Sequence, residues 1–144
     1  MKRPFSEWRI VIPIGIVFSV MSFLFFVCLK TLKVHKTLRD NSLWWSYIIP
    51  ILIFMVGGIL EVSFRRIKSL SNSLYEGFSI GMVGFAVYYI LIIGDAFLWR
   101  QIPLSYESLF IFIGGAIMAI PLVIGGVIGG FLGYLITRTK HTKS

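Results

Sequence analysis

Two carboxylates, Glu61 and Asp95, fall inside apolar segments of this 144-residue chain. An ionisable side chain within a membrane segment is a candidate functional group, because burying its charge there costs free energy. If the segments are helices centred near Phe54 and Tyr88, each acid lies seven residues from a centre, which is about 10 Å along the axis. Successive membrane helices run in opposite directions. We therefore expect the two acids near opposite faces of the membrane, too far apart for paired-carboxylate chemistry.

Each carboxylate has a structural and a functional interpretation. Arg65 follows Glu61 by four residues, the spacing of a helical ion pair, and this interpretation is favoured for Glu61. Asp95 has Trp99 at that spacing and Arg100 five residues on, so no local partner in ideal register is expected. The functional alternative is a cation or proton site in a small transporter, centred on Asp95, with Tyr88, Tyr89 and Glu61 as further polar groups.

The other reactive residues form no recognisable catalytic or metal-binding set. His35 and His141 fall on opposite sides of the predicted membrane, so they cannot share a metal ion, and Cys28 is the single cysteine of the chain. No Ser, His and Asp set can be assembled on one side of the membrane. We therefore expect no enzymatic activity, no metal site and no cofactor.

The elements that carry these residues are long and apolar. The chain is 57% hydrophobic with a mean hydropathy of +0.88, which excludes an ordinary soluble surface. Four continuous apolar stretches, at about 10–29, 44–64, 78–99 and 109–136, each reach the ~20 residues that a helix needs to cross the hydrocarbon. The sequence therefore predicts a single membrane domain over residues 1–144, an all-α bundle of four transmembrane helices.

The first stretch follows Lys2, Arg3 and Arg9, as the apolar region of a signal peptide follows its basic residues. Its apolar run is too long for a signal peptide, and a cleavage site of small residues is missing. We therefore expect it to remain as a membrane span.

The fourth stretch is distinguished by its length and its proline. At 28 residues it would form a straight helix about 42 Å long, against ~30 Å of hydrocarbon. Pro121 lies near its middle and removes a backbone hydrogen bond, so a kink is predicted there.

Glycines follow this proline in two rows with a spacing of four residues. In lipid, small residues let helix backbones approach closely, and the glycines therefore predict a helix-packing interface. Their positions are Gly125, Gly126, Gly129, Gly130 and Gly133. The interface serves either neighbours within the bundle or a second copy or another subunit, and the sequence leaves both open.

Lysine and arginine are distributed unevenly between the two sides. Nine lie before the first segment, in the second connection and in the tail, whereas five lie in the first and third connections. Because the more basic side stays in the cytoplasm, both termini are predicted to be cytoplasmic, with the cell membrane as the location. The first connection is predicted to be a solvated basic loop, and the alternative is a surface helix over residues 29–39.

The net charge of +8 lies between and beyond the apolar stretches, without stacking aromatic residues, so nucleic acid is not an expected partner. The sequence contains glycine rows suited to helix packing, whereas it offers no recognisable set of catalytic or metal-binding residues. The sequence therefore predicts a non-enzymatic accessory or self-associating subunit of a membrane complex, with the lipid bilayer and another membrane chain as partners. The alternative is a small oligomeric transporter or channel that uses Asp95 and Glu61, and a membrane-lysis or stress peptide is a third class.

Overall fold

The computed structural model describes residues 5–31, 42–67, 69–101 and 106–141, and these are almost entirely helical. The helices are α1 (Phe5–Thr31), α2 (Ser42–Arg65), α3 (Leu70–Gly94) and α4 (Tyr106–His141), and α3 continues into a π-helical turn, Asp95–Trp99.

Each helix contains a stretch long and apolar enough to cross a membrane. These stretches are Arg9–Cys28, Tyr47–Arg65, Leu70–Leu98 and Ser108–Thr139. The chain is therefore an all-α protein whose four apolar helices make it a multi-pass membrane protein, in agreement with the prediction from hydropathy.

The third helix begins at Leu70, eight residues before the start of the predicted span. The serine-rich stretch at 69–73 has the composition of a polar loop, but that expectation is wrong: Ser69 is the N-cap and residues 70–73 form the first turn of this helix. Serine tolerates this environment because its hydroxyl can bond to a carbonyl one turn back. The Ser73 Oγ donates to the Ser69 carbonyl at 3.0 Å, and the Ser79 Oγ donates to the Tyr75 carbonyl at 2.8 Å.

The fourth helix spans 36 residues and is assigned as helix on both sides of Pro121. The kink predicted at this proline stays a prediction. The alternatives for the first connection also stay open, because residues 32–41, with His35, lie outside the described residues.

Contacts between the helices give their relative directions. Gly126 lies against Gly77 and Gly130 lies against Ser73, so α4 runs antiparallel to α3. Gly125 lies against Ile51 and Gly129 against Met55, so α4 runs parallel to α2. The helices therefore alternate in direction, with α4 lying along both α2 and α3.

The first helix packs mainly on α3 and to a smaller extent on α2. Gly15 lies against Val83, and the Ser19 Oγ donates to the Gly84 carbonyl of α3 at 3.1 Å. The Phe23 ring meets the Tyr88 ring edge-on, with centroids 6.4 Å apart. These contacts place α1 parallel to α3.

The apolar core lies where α2 and α3 cross the middle of the bundle. The Phe54 ring is fully buried and fills the space that the missing side chain of Gly84 leaves. Phe18 of α1 meets Phe54 edge-on, with centroids 6.3 Å apart. Leu122 of α4 is also fully buried in this core, so all four helices contribute to it.

Candidate functional site

Two buried carboxylates share one guanidinium at one end of the bundle. Nη1 of Arg65 lies 3.4 Å from Oε1 of Glu61 on the same helix and 3.0 Å from Oε1 of Glu76 on α3. The side chains of Glu61 and Glu76 are 0% and 7% exposed, and that of Arg65 is 19% exposed. We call these three residues the Arg65 cluster.

The short connection between α2 and α3 brings the cluster together. Arg66 adopts a left-handed conformation with φ of 49°, which ends α2. The Ile67 amide then donates to the Val62 carbonyl at 3.2 Å and satisfies a carbonyl at the helix end. Because α3 returns antiparallel from Leu70, Glu76 comes to lie beside the last turn of α2.

The fourth helix packs against the same region. Val62, next to Glu61, contacts Gly133, and Gly77, next to Glu76, contacts Gly126. The Arg65 cluster therefore lies where α2, α3 and α4 meet, and the small residues of α3 and α4 allow the close approach that buries it.

The cluster has a limited range of chemistry. Carboxylates can bind and release protons or coordinate cations, and a guanidinium stays protonated while it donates several hydrogen bonds. Bringing these charges out of water costs free energy, which their mutual attraction offsets only in good geometry. Across the described residues there is no group of three or more His, Cys, Asp or Glu side chains that could hold a metal ion.

Asp95 lies in a different environment, in the π-helical turn at the end of α3. Its Oδ2 is 2.8 Å from Nη2 of Arg100, so the expectation that it lacks a local partner is wrong. The reason is the π-helical register, in which the Arg100 amide bonds to the Asp95 carbonyl at 3.1 Å and residues five apart are stacked. Asp95 and Arg100 are 26% and 42% exposed, so this pair is partly exposed to solvent.

The two acids singled out by the sequence are not brought together. Glu61 lies in the last turn of α2 and Asp95 follows the last residue of α3, and these antiparallel helices end at opposite ends of the bundle. The ion pair expected between Glu61 and Arg65 is present. Whether either acid binds an ion or a proton stays a prediction.

The five glycines of α4 lie between α2 and α3. A side chain at Gly125 or Gly129 would meet the backbone of α2 at Ile51 or Met55, and one at Gly133 would meet Val62. A side chain at Gly126 or Gly130 would meet the backbone of α3. Each glycine row therefore faces a helix of this same chain.

Sequence reasoning missed Glu76, because the third span was predicted to begin only at residue 78. A usable signal exists in the spacing of small residues. Ser73, Gly77 and Gly81 are four residues apart, so the small face of α3 extends backwards through the serines and carries Glu76 into the helix.

Comparison with known proteins identifies no relative: no family model, no curated protein and no solved structure matches this chain. The class is therefore defined by the fold itself, as a multi-pass membrane protein of four apolar helices.

Proposed function

We propose that this protein is a non-enzymatic membrane subunit that acts by packing, either with copies of itself or as an accessory to other membrane chains. The observation that carries the proposal is that the helices differ in how much of their surface is buried within the bundle. The glycine rows of α4 are occupied by α2 and α3, whereas α1 lies at the edge of the bundle with 22% of its span buried, against 33–35% for the other three spans.

The outward face of α1 is the association surface in this proposal. Its inward positions, such as Gly15 and Ser19, contact α3. Its outward side chains are large and apolar, and are Ile12, Ile16, Val17, Val20, Met21, Leu24 and Phe25. In lipid, a helix gains stability by replacing loose lipid contacts with close packing, and α1 has the smallest buried share of the four spans.

The single cysteine gives a direct test of self-association. Cys28 is exposed near the end of α1, so oxidation of the protein in membranes should produce a disulfide-linked dimer if two copies meet through α1. Cys28→Ser should abolish this product. A matched control places the cysteine on the outward face of α4, as Leu135→Cys in the Cys28→Ser background, and should give no dimer. Equal yields from both cysteines, or no dimer from Cys28, would contradict self-association through α1.

Charge supports a cytoplasmic position for both termini in the cell membrane. The nine basic residues at the end that carries the termini outnumber the five at the other end. A reporter that fluoresces only in the cytoplasm, fused after Ser144, should be active. An inactive fusion that is still inserted in the membrane would reverse the orientation.

A small transporter or channel is the second candidate, and the Arg65 cluster favours it. Glu61 and Glu76 are buried together, as carboxylates on a proton or cation path are, while Asp95 lies toward the other end of such a path. Proton and cation flux in proteoliposomes tests this candidate with Glu61→Gln, Glu76→Gln and Asp95→Asn. Flux that requires these carboxylates supports transport, whereas unchanged flux in all three variants removes the candidate.

A further inference from the structure

One end of the bundle presents three exposed arginines, one on α1, one on α4 and one directly after the end of α2. This end is formed by the start of α1, the end of α2, the start of α3 and the end of α4, and we call it the basic end. Arg9, Arg66 and Arg138 are exposed on it.

These arginines lie near the level where the apolar spans end. Arg9 is the first residue of the α1 span, and Arg66 follows the last residue of the α2 span. Gly133 contacts Val62, so Arg138, five residues further along the parallel α4, is level with the end of α2. Their guanidinium groups are therefore positioned for the headgroup layer, where long basic side chains extend toward water.

Two of the three acids at this end are withdrawn from its surface. Glu61 and Glu76 are buried and directed to Arg65, so they are withdrawn from the surface that the three arginines share. By sequence, the segments at this end carry nine basic and three acidic residues, whereas those at the other end carry five basic and three acidic residues. By sequence the basic end is therefore the more positive of the two, and Arg9, Arg66 and Arg138 are the exposed basic residues that the structure describes there.

The chemistry that fits this surface is the phosphate of an anionic lipid. A guanidinium donates two parallel hydrogen bonds to a phosphate, and basic residues at the membrane surface attract anionic lipids. The arginines lie at the rim of the apolar spans, which a lipid headgroup reaches directly. We propose that the basic end binds the headgroups of anionic phospholipids, selecting them from neutral lipids in the surrounding layer.

Lipid quenching of tryptophan fluorescence tests this proposal at each end separately. The chain has four tryptophans, of which Trp8 adjoins Arg9 and Trp99 adjoins Arg100. Two full-length forms each keep one of them, with the other three replaced by phenylalanine. They are reconstituted in vesicles containing brominated phosphatidylglycerol or brominated phosphatidylcholine, which quench the tryptophans they contact.

The quenching of Trp8 should report an apparent affinity for brominated phosphatidylglycerol about threefold higher than for brominated phosphatidylcholine. The quenching of Trp99 should report nearly equal affinities for the two lipids. The preference at Trp8 should fall toward one in high salt, which screens headgroup attraction. The triple variant Arg9→Gln, Arg66→Gln and Arg138→Gln should abolish it. The matched triple variant Lys33→Gln, Lys36→Gln and Arg39→Gln removes equal charge from the other end and should retain it.

Equal quenching of Trp8 by both lipids would overturn the proposal. A preference for phosphatidylglycerol at Trp99 as large as that at Trp8 would also overturn it, as would a preference at Trp8 that persists both in high salt and in the arginine triple variant. The comparison between Trp8 and Trp99 and the salt series use native arginines, so they decide the matter even if the triple variant does not fold. Binding of a labelled oligonucleotide without any lipid preference would assign the basic end to nucleic acid instead and also overturn the proposal.

Discussion

The Arg65 guanidinium at the end of α2 lies 3.0 Å from the Glu76 carboxylate on α3, across a connection of only four residues. Because both Glu76 and Glu61 are buried beside it, removal of Arg65 leaves two carboxylates in a poorly solvated place. We expect Arg65→Gln to lower the free energy of unfolding by about 2–4 kcal/mol, somewhat less than the roughly 3–5 kcal/mol for a fully buried pair, because Arg65 is partly exposed. Unfolding of the full chain in detergent, followed by circular dichroism, measures this loss.

The neighbouring arginine supplies the control for this prediction. Arg66 is exposed, so Arg66→Gln removes the same charge without leaving a buried carboxylate and should change stability by less than about 0.5 kcal/mol. Equal losses in both variants would show that the Arg65 contacts contribute nothing specific.

The contact between Gly126 and Gly77 predicts a loss of stability when a single methyl group is added. A Cβ at Gly126 would meet the Gly77 carbonyl, which is backbone and cannot move aside without separating α4 from α3. Gly126→Ala should therefore cost about 1–3 kcal/mol, despite the better helix propensity of alanine. Thermal unfolding in detergent tests it.

A second glycine of α4 makes the matched comparison. A Cβ at Gly114 has nothing within 4 Å in the described structure, so Gly114→Ala should keep or raise stability. If Gly114→Ala and Gly126→Ala behaved alike, close packing of α3 and α4 at the glycines would be refuted.

Two serines of α1 should respond in opposite ways to replacement by alanine. The Ser19 Oγ lies 2.6 Å from the Gly15 carbonyl and 3.1 Å from the Gly84 carbonyl of α3, so its one proton is shared between them. The buried Ser22 Oγ has no hydrogen-bond partner among the described residues. Ser19→Ala should destabilise the α1–α3 contact by about 0.5–1 kcal/mol, and Ser22→Ala should be neutral or stabilising. The same unfolding assay measures both, and a larger loss for Ser22→Ala would contradict the assignment.

The pair of Asp95 and Arg100 should contribute little, in contrast to the Arg65 cluster. Both side chains are partly exposed, so Arg100→Gln should cost no more than about 1 kcal/mol, and added salt should shrink this loss. A loss as large as that of Arg65→Gln would show that the pair is shielded from water by a neighbour.

Hydropathy was sufficient to predict four helices, because a long apolar run in lipid has few alternatives to a helix that satisfies its own backbone. It placed the start of α3 too late, since serine counts as a loop former in water but bonds to the preceding turn in a membrane helix. The boundary error removed Glu76 from consideration, and with it the second carboxylate of the Arg65 cluster.

The register of Asp95 and Arg100 could not be predicted for a different reason. An α-helix places residues five apart on different faces, and only the π-helical turn aligns them. The sequence gives no local signal for that turn, whereas the i, i+4 pair of Glu61 and Arg65 needs no more than an ordinary helix.

The central claim is that this bundle packs with further chains in the membrane, and the mass of the intact particle tests it most directly. The full-length chain, extracted in mild detergent at several concentrations, is weighed by native mass spectrometry with the lipid and detergent removed in the gas phase. The account predicts a particle heavier than one 16.4 kDa chain, either a multiple of that mass or one chain with a stoichiometric second polypeptide. A particle of a single chain at every concentration, from membranes in which the protein is intact, would contradict it.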